Sequence, residues 1–300
     1  MRKSILGIAL LILLSAAPSA AATVNDIPFS FENGLVIVEA KIKGDVAVNV
    51  VLATGAEYSV MEASVLEKYE LPAYYAADGP VNGRNDTTYT FTKVPKVRIQ
   101  DSKAKELSMR MGSMAQLSQA AGREIFAALG ADFFEGQTVQ FDFKNKVLRF
   151  LEKPAADALK DKSAGPGGAN KILLQMAEKE SNPFMKTFRL PLVTDVAFDG
   201  QKSKLLLDTG RATHLAFSSS VTKKVGLMPP VDNGPPRQDR IKSLRLGDSE
   251  LTDLPVVLFA KGTPPEKSIS KYGVIAGSIF LQNFVATFDF RGGLIVLERS

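Results

Sequence analysis

Two stretches of the 300-residue chain read as copies of one another: VNVVLATGAEYSVMEASVLEKYEL at 48–71 and KLLLDTGRATHLAFSSSVTKKVGL at 204–227. Each runs from an apolar segment into a small-residue turn, Ala53-Thr54-Gly55 or Asp208-Thr209-Gly210, and then through a short segment ending in Leu. A second pair lies downstream, AALGADFFEGQTVQFDFKNKVLRFLE (127–152) and VIAGSIFLQNFVATFDFRGGLIVLE (274–298). It aligns Gly130 with Gly277 and Phe141-Asp142-Phe143 with Phe288-Asp289-Phe290. The offset is 155 residues at the turns and 147 at the glycines. The difference of 8 residues is the size of indel that a surface loop absorbs. Two blocks repeated in one order point to internal duplication.

The sequence around these blocks has strand character. Leu35 to Ile42 is β-branched and ends in a turn at Gly44, and Thr187 to Phe198 meets Asp199-Gly200, a hairpin signal. Thr138–Asp142 and Ala286–Phe290 alternate in the manner of strands with one buried face. Helix is expected only in short pieces, Met61–Tyr69 and Ser219–Val225, each preceded by a Ser able to cap free amides. Residues 171–180 (KILLQMAEKE) also fit a short amphipathic helix. Residues 154–170 (PAADALKDKSAGPGGAN) cannot bury a core and read as a flexible connection. The expected organisation is a leader (1–22), a β-rich unit (23–153), a linker (154–184) and a second β-rich unit (185–300), the two units related by an approximate twofold.

Composition narrows the chemistry. Hydrophobic residues are 45% and charged residues 23%, an ordinary globular balance. With no Cys, the chain has no disulfide, thiol nucleophile or zinc–thiolate site. The single His214 excludes a multi-histidine metal site, and no Gly-x-Ser-x-Gly elbow or Gly-Lys-Ser/Thr phosphate loop occurs. Asp195, Asp199, Asp232 and Asp239 lack calcium-loop spacing and read as turn residues. No metal and no cofactor is therefore expected. The net charge of +5 is scattered, and its densest spots, Lys223-Lys224 and Lys144-Asn145-Lys146, have no interleaved aromatics, so nucleic acid is not an expected partner. Arg2 and Lys3, the short apolar run Ile5–Leu14 and Ala20-Ala21-Ala22 together read as a cleaved export signal. Cleavage would leave 278 residues of net charge +3, with no membrane segment, in the periplasm or secreted.

An apolar strand entering Asp-Thr-Gly, a later Val274-Ile275-Ala276-Gly277 or Ala128-Leu129-Gly130, a Phe-Asp-Phe strand and the duplication together resemble the retropepsin-like aspartic proteases, over 29–151 and 185–297. The resemblance implies an all-β fold of two pseudo-twofold-related acid-protease barrel lobes with short helices. It implies paired carboxylates at the lobe interface, sharing a proton and activating one water. Thr54 and Thr209 would brace the turns, Gly55 and Gly210 would let them approach, and Gly130 and Gly277 would let neighbouring strands pack beneath. A hairpin flap is implied near Gly79–Thr92, turning at Asn82-Gly83 and offering Tyr89 and Phe91 to a peptide, with a counterpart at Asp232–Asp239.

The first copy departs at the decisive position. Ala53 stands where a carboxylate belongs, and a methyl group neither accepts nor donates a proton. Asp208 then lacks a like-charged neighbour to raise its pKa, and loss of one acid/base member costs roughly 10²–10⁴-fold. Arg211 replaces a small residue directly after the turn. It either favours an ionised Asp208 or points to solvent. His214 reads as a surface or loop-packing residue, and Asp142 and Asp289 as structural strand residues. The expected function is binding of a peptide or protein partner in an inter-lobe groove with little or no hydrolysis. The alternative is an active endopeptidase in which a homodimer brings two Asp208 turns together, although lobes joined in one chain meet at high effective concentration. A purely structural envelope role is the third reading.

Overall fold

The computed structural model describes residues 25–77, 88–100, 102, 104–152, 154–155, 171–177, 188–231 and 234–299. The expected leader, most of the expected linker and the turn at Asn82-Gly83 lie outside the described residues. In chain order the first strands are β1 (Ile27–Pro28), β2 (Ser30–Glu32), β3 (Leu35–Ile42), β4 (Val46–Leu52), β5 (Val60–Glu62), β6 (Tyr74–Ala77), β7 (Thr88–Val97), β8 (Lys105–Gly112), β9 (Ala127–Leu129), β10 (Thr138–Asp142) and β11 (Val147–Leu151). The others are β12 (Lys171–Gln175), β13 (Leu192–Phe198), β14 (Gln201–Asp208), β15 (Leu215–Phe217), β16 (Arg237–Leu246), β17 (Ser249–Leu258), β18 (Val274–Gly277), β19 (Phe284–Asp289) and β20 (Leu294–Arg299). The chain is thus mostly β-strand with a few short helices.

The described strands form three sheets. The C-terminal half closes a six-stranded barrel in the order β13-β14-β18-β15-β17-β16. The N-terminal half has an eight-stranded sheet, β2-β3-β4-β9-β5-β8-β7-β6, whose inner six strands follow the same order. The directions match as well: β4·β9 and β14·β18 are parallel, and so are β5·β8 and β15·β17. The barrel closes through β13 and β16, whereas the N-terminal sheet curls back through one bridge, with Lys41 and Arg98 exchanging main-chain hydrogen bonds of 2.8 and 3.0 Å.

The third sheet, β1-β11-β10-β19-β20-β12, takes strands from both halves. Its centre is the antiparallel pair β10·β19, with Thr138 opposite Asp289 and Gln140 opposite Thr287. Val139, Phe141, Ala286 and Phe288 send fully buried side chains into the core, and the rings of Phe141 and Phe288 meet edge to face at 5.7 Å. Asp289 is buried in this sheet and accepts hydrogen bonds from Thr138 Oγ1 (2.9 Å) and from the amides of Ala155, Arg291 and Gly292. Asp142 takes Asn145 and Arg149. Both aspartates serve the sheet and its turns.

Local expectations fare unevenly. Thr138–Asp142 and Leu35–Ile42 are strands, and Asp199-Gly200 turns with positive φ at both residues. Ser218 caps Ser219–Lys224 by accepting from the Val221 amide at 3.4 Å. The helix expected at 171–180 is corrected: Lys171–Gln175 is β12, paired with β20, with Ile172 and Leu174 buried and Leu173 exposed between them. That period of two places alternate residues on opposite faces of a strand. The helix expected from Met61 is also corrected, because Val60–Glu62 joins β8 and β9 and the helix covers only Val65–Lys68. Short helices at Ala115–Ala121 and Pro264–Ser270 were not expected.

Because Phe288 is fully buried at the seam between the halves, Phe288→Ala is expected to destabilise the protein by about 3–5 kcal/mol. The check is the change in unfolding free energy from urea titration of both proteins.

Candidate functional site

The two turns meet head to head. β4 stops at Leu52 and β14 at Asp208, so each turn leaves the end of a strand that is held in parallel register, β4 on β9 and β14 on β18. The Thr54 hydroxyl donates to the Leu207 carbonyl (3.1 Å) and accepts from the Thr209 amide (3.1 Å). The Thr209 hydroxyl donates to the Leu52 carbonyl (2.7 Å) and accepts from the Thr54 amide (3.2 Å). Both threonines are fully buried, so no water substitutes for these four bonds.

The glycines explain how the turns come so close. A Cβ on Gly55 would lie 2.6 Å from Asp208 Cβ, and a Cβ on Gly210 would lie 2.5 Å from Ala53 Cβ. These two contacts correspond, so Ala53 occupies the place on its turn that Asp208 occupies on the other. A Cβ on Gly130 would meet the Tyr58 main chain at 2.7 Å, and one on Gly277 would overlap the Arg211 carbonyl oxygen. The first corner is further tied by Asp132, which accepts from the Ser59 hydroxyl (2.6 Å) and from the amides of Ser59 and Phe133 (both 2.9 Å). Burial nevertheless pushes the Asp132 carboxyl above its ordinary value.

Asp208 is buried, and its Oδ1 accepts the amide hydrogens of Gly210 (2.9 Å) and Gly55 (3.1 Å). Its other oxygen stands 3.8 Å from Arg211 Nε. Of the two placements considered for Arg211, the guanidinium beside the carboxylate is the one seen. It is also tied to Ser268 Oγ through Nη2 at 2.9 Å. No like-charged group raises the Asp208 pKa, as expected, but burial does. Burial pushes this carboxyl above its ordinary value, opposed by the Gly210 amide, the Arg211 charge and the Gly55 amide.

These groups line a cavity of about 410 Å³, whose walls include Ala53, Asp208, Arg211, Glu57, Lys271 and Tyr272. Glu57 accepts from Lys271 Nζ and from the Tyr272 hydroxyl (2.8 Å), joining the halves across the cavity. Burial and the Glu57 carboxylate push the Tyr272 phenol far above its ordinary value, so it stays a donor. This trio was missed in the sequence because Glu57 and Lys271 are 214 residues apart. Their one shared signal is adjacency to the turn and to the Val274–Gly277 strand.

The remaining candidates are elsewhere. Gly83 lies outside the described residues, and of Tyr89 only the main chain is described, paired with Ala76 in β6·β7. Phe91 stacks on Tyr74 at 5.4 Å. His214 is half-buried, its carbonyl accepts the Gly277 amide (2.9 Å), and burial followed by the Arg240 charge lowers its imidazole pKa. Among the described residues no cluster of three or more His, Asp or Glu side chains could hold a metal ion, and no helix is long and apolar enough to cross a membrane.

No family model matches the chain, and no curated protein matches it. Among solved structures, the crystal structure of basic 7S globulin from soybean is similar with a TM-score of 0.48 and 6% identity, covering 92% of this chain and 95% of the globulin chain.

Two measurements probe this arrangement. Gly210→Ala would also set a Cβ 2.9 Å from Ala53 Cα, so a turn must move, and a loss of about 1–3 kcal/mol in unfolding free energy is expected. The second is a pH series. A carboxyl whose folded pKa lies above its unfolded value near 3.8 binds more protons folded than unfolded in the window between the two. Its stabilising contribution is complete below that window and lost as pH rises through it. Asp208→Asn keeps an acceptor for both amides and removes the titration. The variant's stability relative to the parent should therefore be flat in acid and climb as pH rises through the window, read by denaturant unfolding at each pH.

Proposed function

We propose that the chain is an exported aspartic-protease-like protein whose two pseudo-twofold-related lobes hold a peptide or protein partner in the cleft between them, with little or no hydrolysis. The observation that carries this reading is the equivalence of Ala53 and Asp208 across the threonine-braced turns. The turns are brought together as an acid/base pair would require, yet one position offers only a methyl group. A lone carboxyl cannot act as base on a water and as acid on a carbonyl at once. Arg211 beside Asp208 pulls the carboxyl towards its ionised form, but burial outweighs that pull, so the case against hydrolysis rests on the missing partner carboxylate. The cavity over the turns gives a ligand room, and residues 1–22 carry the pattern of an export signal.

The homodimer reading is less well supported. Within one chain the Asp208 turn is already engaged by the Ala53 turn through four buried hydrogen bonds. Bringing a second Asp208 into that place would require all four to break.

Restoring the missing carboxylate is the direct test. Ala53→Asp is expected to create acid-dependent cleavage of a peptide library between pH 3 and 7 that the parent lacks. Adding Arg211→Ala should raise it, and adding Asp208→Asn should abolish it. An inert but folded Ala53→Asp/Arg211→Ala protein would mean that the cleft is not built for peptides. Robust cleavage by the monomeric parent would overturn the loss of hydrolysis.

A further inference from the structure

Among the described residues the cleft is lined by more cations than acids: Arg211, Lys267 and Lys271 face it together with Asp208 and Glu57. Glu57 is taken up by Lys271 and the Tyr272 hydroxyl, and Asp208 Oδ1 by two amides. Arg211 Nε is 3.8 Å from Asp208, longer than a hydrogen bond, and the arginine side chain remains 43% exposed. Lys267 adds a second positive charge from the helix Pro264–Ser270. That helix is held in place by the buried Glu266, which accepts from the Ser219 hydroxyl (2.9 Å) and from the amides of Ser219 and Gly262 (both 3.2 Å).

Arg211 also borders a second cavity, of about 250 Å³, which shares Ile275 with the cleft. Its other walls are mainly apolar: Ala212, Ala216, Phe259, Pro265 and Ile269. Thr213 lines it too, and Thr213 Oγ1 is buried with no hydrogen-bond partner among the described residues. Arg211, with its Nη2 on Ser268, therefore stands where a polar cleft and an apolar cavity meet. A planar fork of donors suits a carboxylate, and an apolar cavity suits a hydrocarbon side chain.

We propose that this junction selects a peptide carboxylate lying next to an apolar side chain, the carboxylate on Arg211 and Lys267 and the side chain in the 250 Å³ cavity. The inference rests on the peptide-cleft reading and names its ligand. Both groups occur together at the C-terminus of a peptide ending in an apolar residue, and also where Asp or Glu adjoins an apolar residue within a peptide.

The experiment is fluorescence-polarisation titration of the full chain with labelled hexapeptides. One ends in Leu as the free acid, one in Leu as the amide and one in Ser as the free acid. Two further amidated peptides carry an internal Glu-Leu or Gln-Leu. The Leu acid is expected to bind about tenfold more tightly than the Leu amide or the Ser acid. In Arg211→Gln the ratio of acid to amide affinity should fall towards one, with Lys267→Gln, checked for folding by circular dichroism, as the second variant. Preference for Glu-Leu over Gln-Leu would support the proposal and place the carboxylate on a side chain. Equal binding of acid and amide, with no preference for Glu-Leu, would overturn it while leaving the peptide cleft intact. Binding of none of the five would overturn the cleft reading itself.

Discussion

The reciprocal hydrogen bonds between Thr54 and Thr209 are the constraint from which the rest of the site follows. Each hydroxyl donates to the carbonyl at the end of the opposite strand and accepts the opposite amide. Neither group can turn to water, because both residues are fully buried. A shift of either turn would orphan several polar groups at once, which is costly away from solvent. The geometry of positions 53 and 208 is therefore set by residues that have no part in acid/base chemistry. The four bonds involve no side-chain atom of position 53 or 208, so the scaffold does not depend on which side chains stand there.

Facing only the methyl group of Ala53 across the turns, Asp208 is held by the scaffold. Amides from both turns reach one of its oxygens, and Arg211 stands beside the other. Burial alone would drive such a carboxyl towards neutrality, and these three neighbours work against that without reversing it. The electrostatic character of the cleft is then decided by residues around the turns. Glu57 is consumed in binding Lys271 and Tyr272 across the cavity, and Arg211 and Lys267 set the sign of what remains.

Much of the site could be read from residues because its determinants are local. An Xaa-Thr-Gly turn after an apolar strand is a short motif with a steric cause, and so is a downstream glycine, although Gly130 and Gly277 admit the main chain just after the two turns and not a neighbouring strand. The strand Thr138–Asp142 was equally legible, since its alternation reports one buried face. The misreadings come from tertiary context. Lys171–Gln175 carries three apolar residues in a row, and only its pairing with β20 decides which of them is buried. Met61 looks helical until β8 and β9 claim it from either side. The raised Asp208 pKa arises from burial, which no spacing in the chain encodes.

The sheet built around β10 and β19 has a consequence for how the molecule holds together. Five consecutive residue pairs join a strand of the first half of the chain to one of the second, and the side chains beneath them share one core. Neither half keeps its complement of hydrogen bonds without the other. Two separate polypeptides, divided in the connecting region, would each display a bare sheet edge cut to fit its mate. Such fragments would reassociate without a covalent tether and aggregate when kept apart.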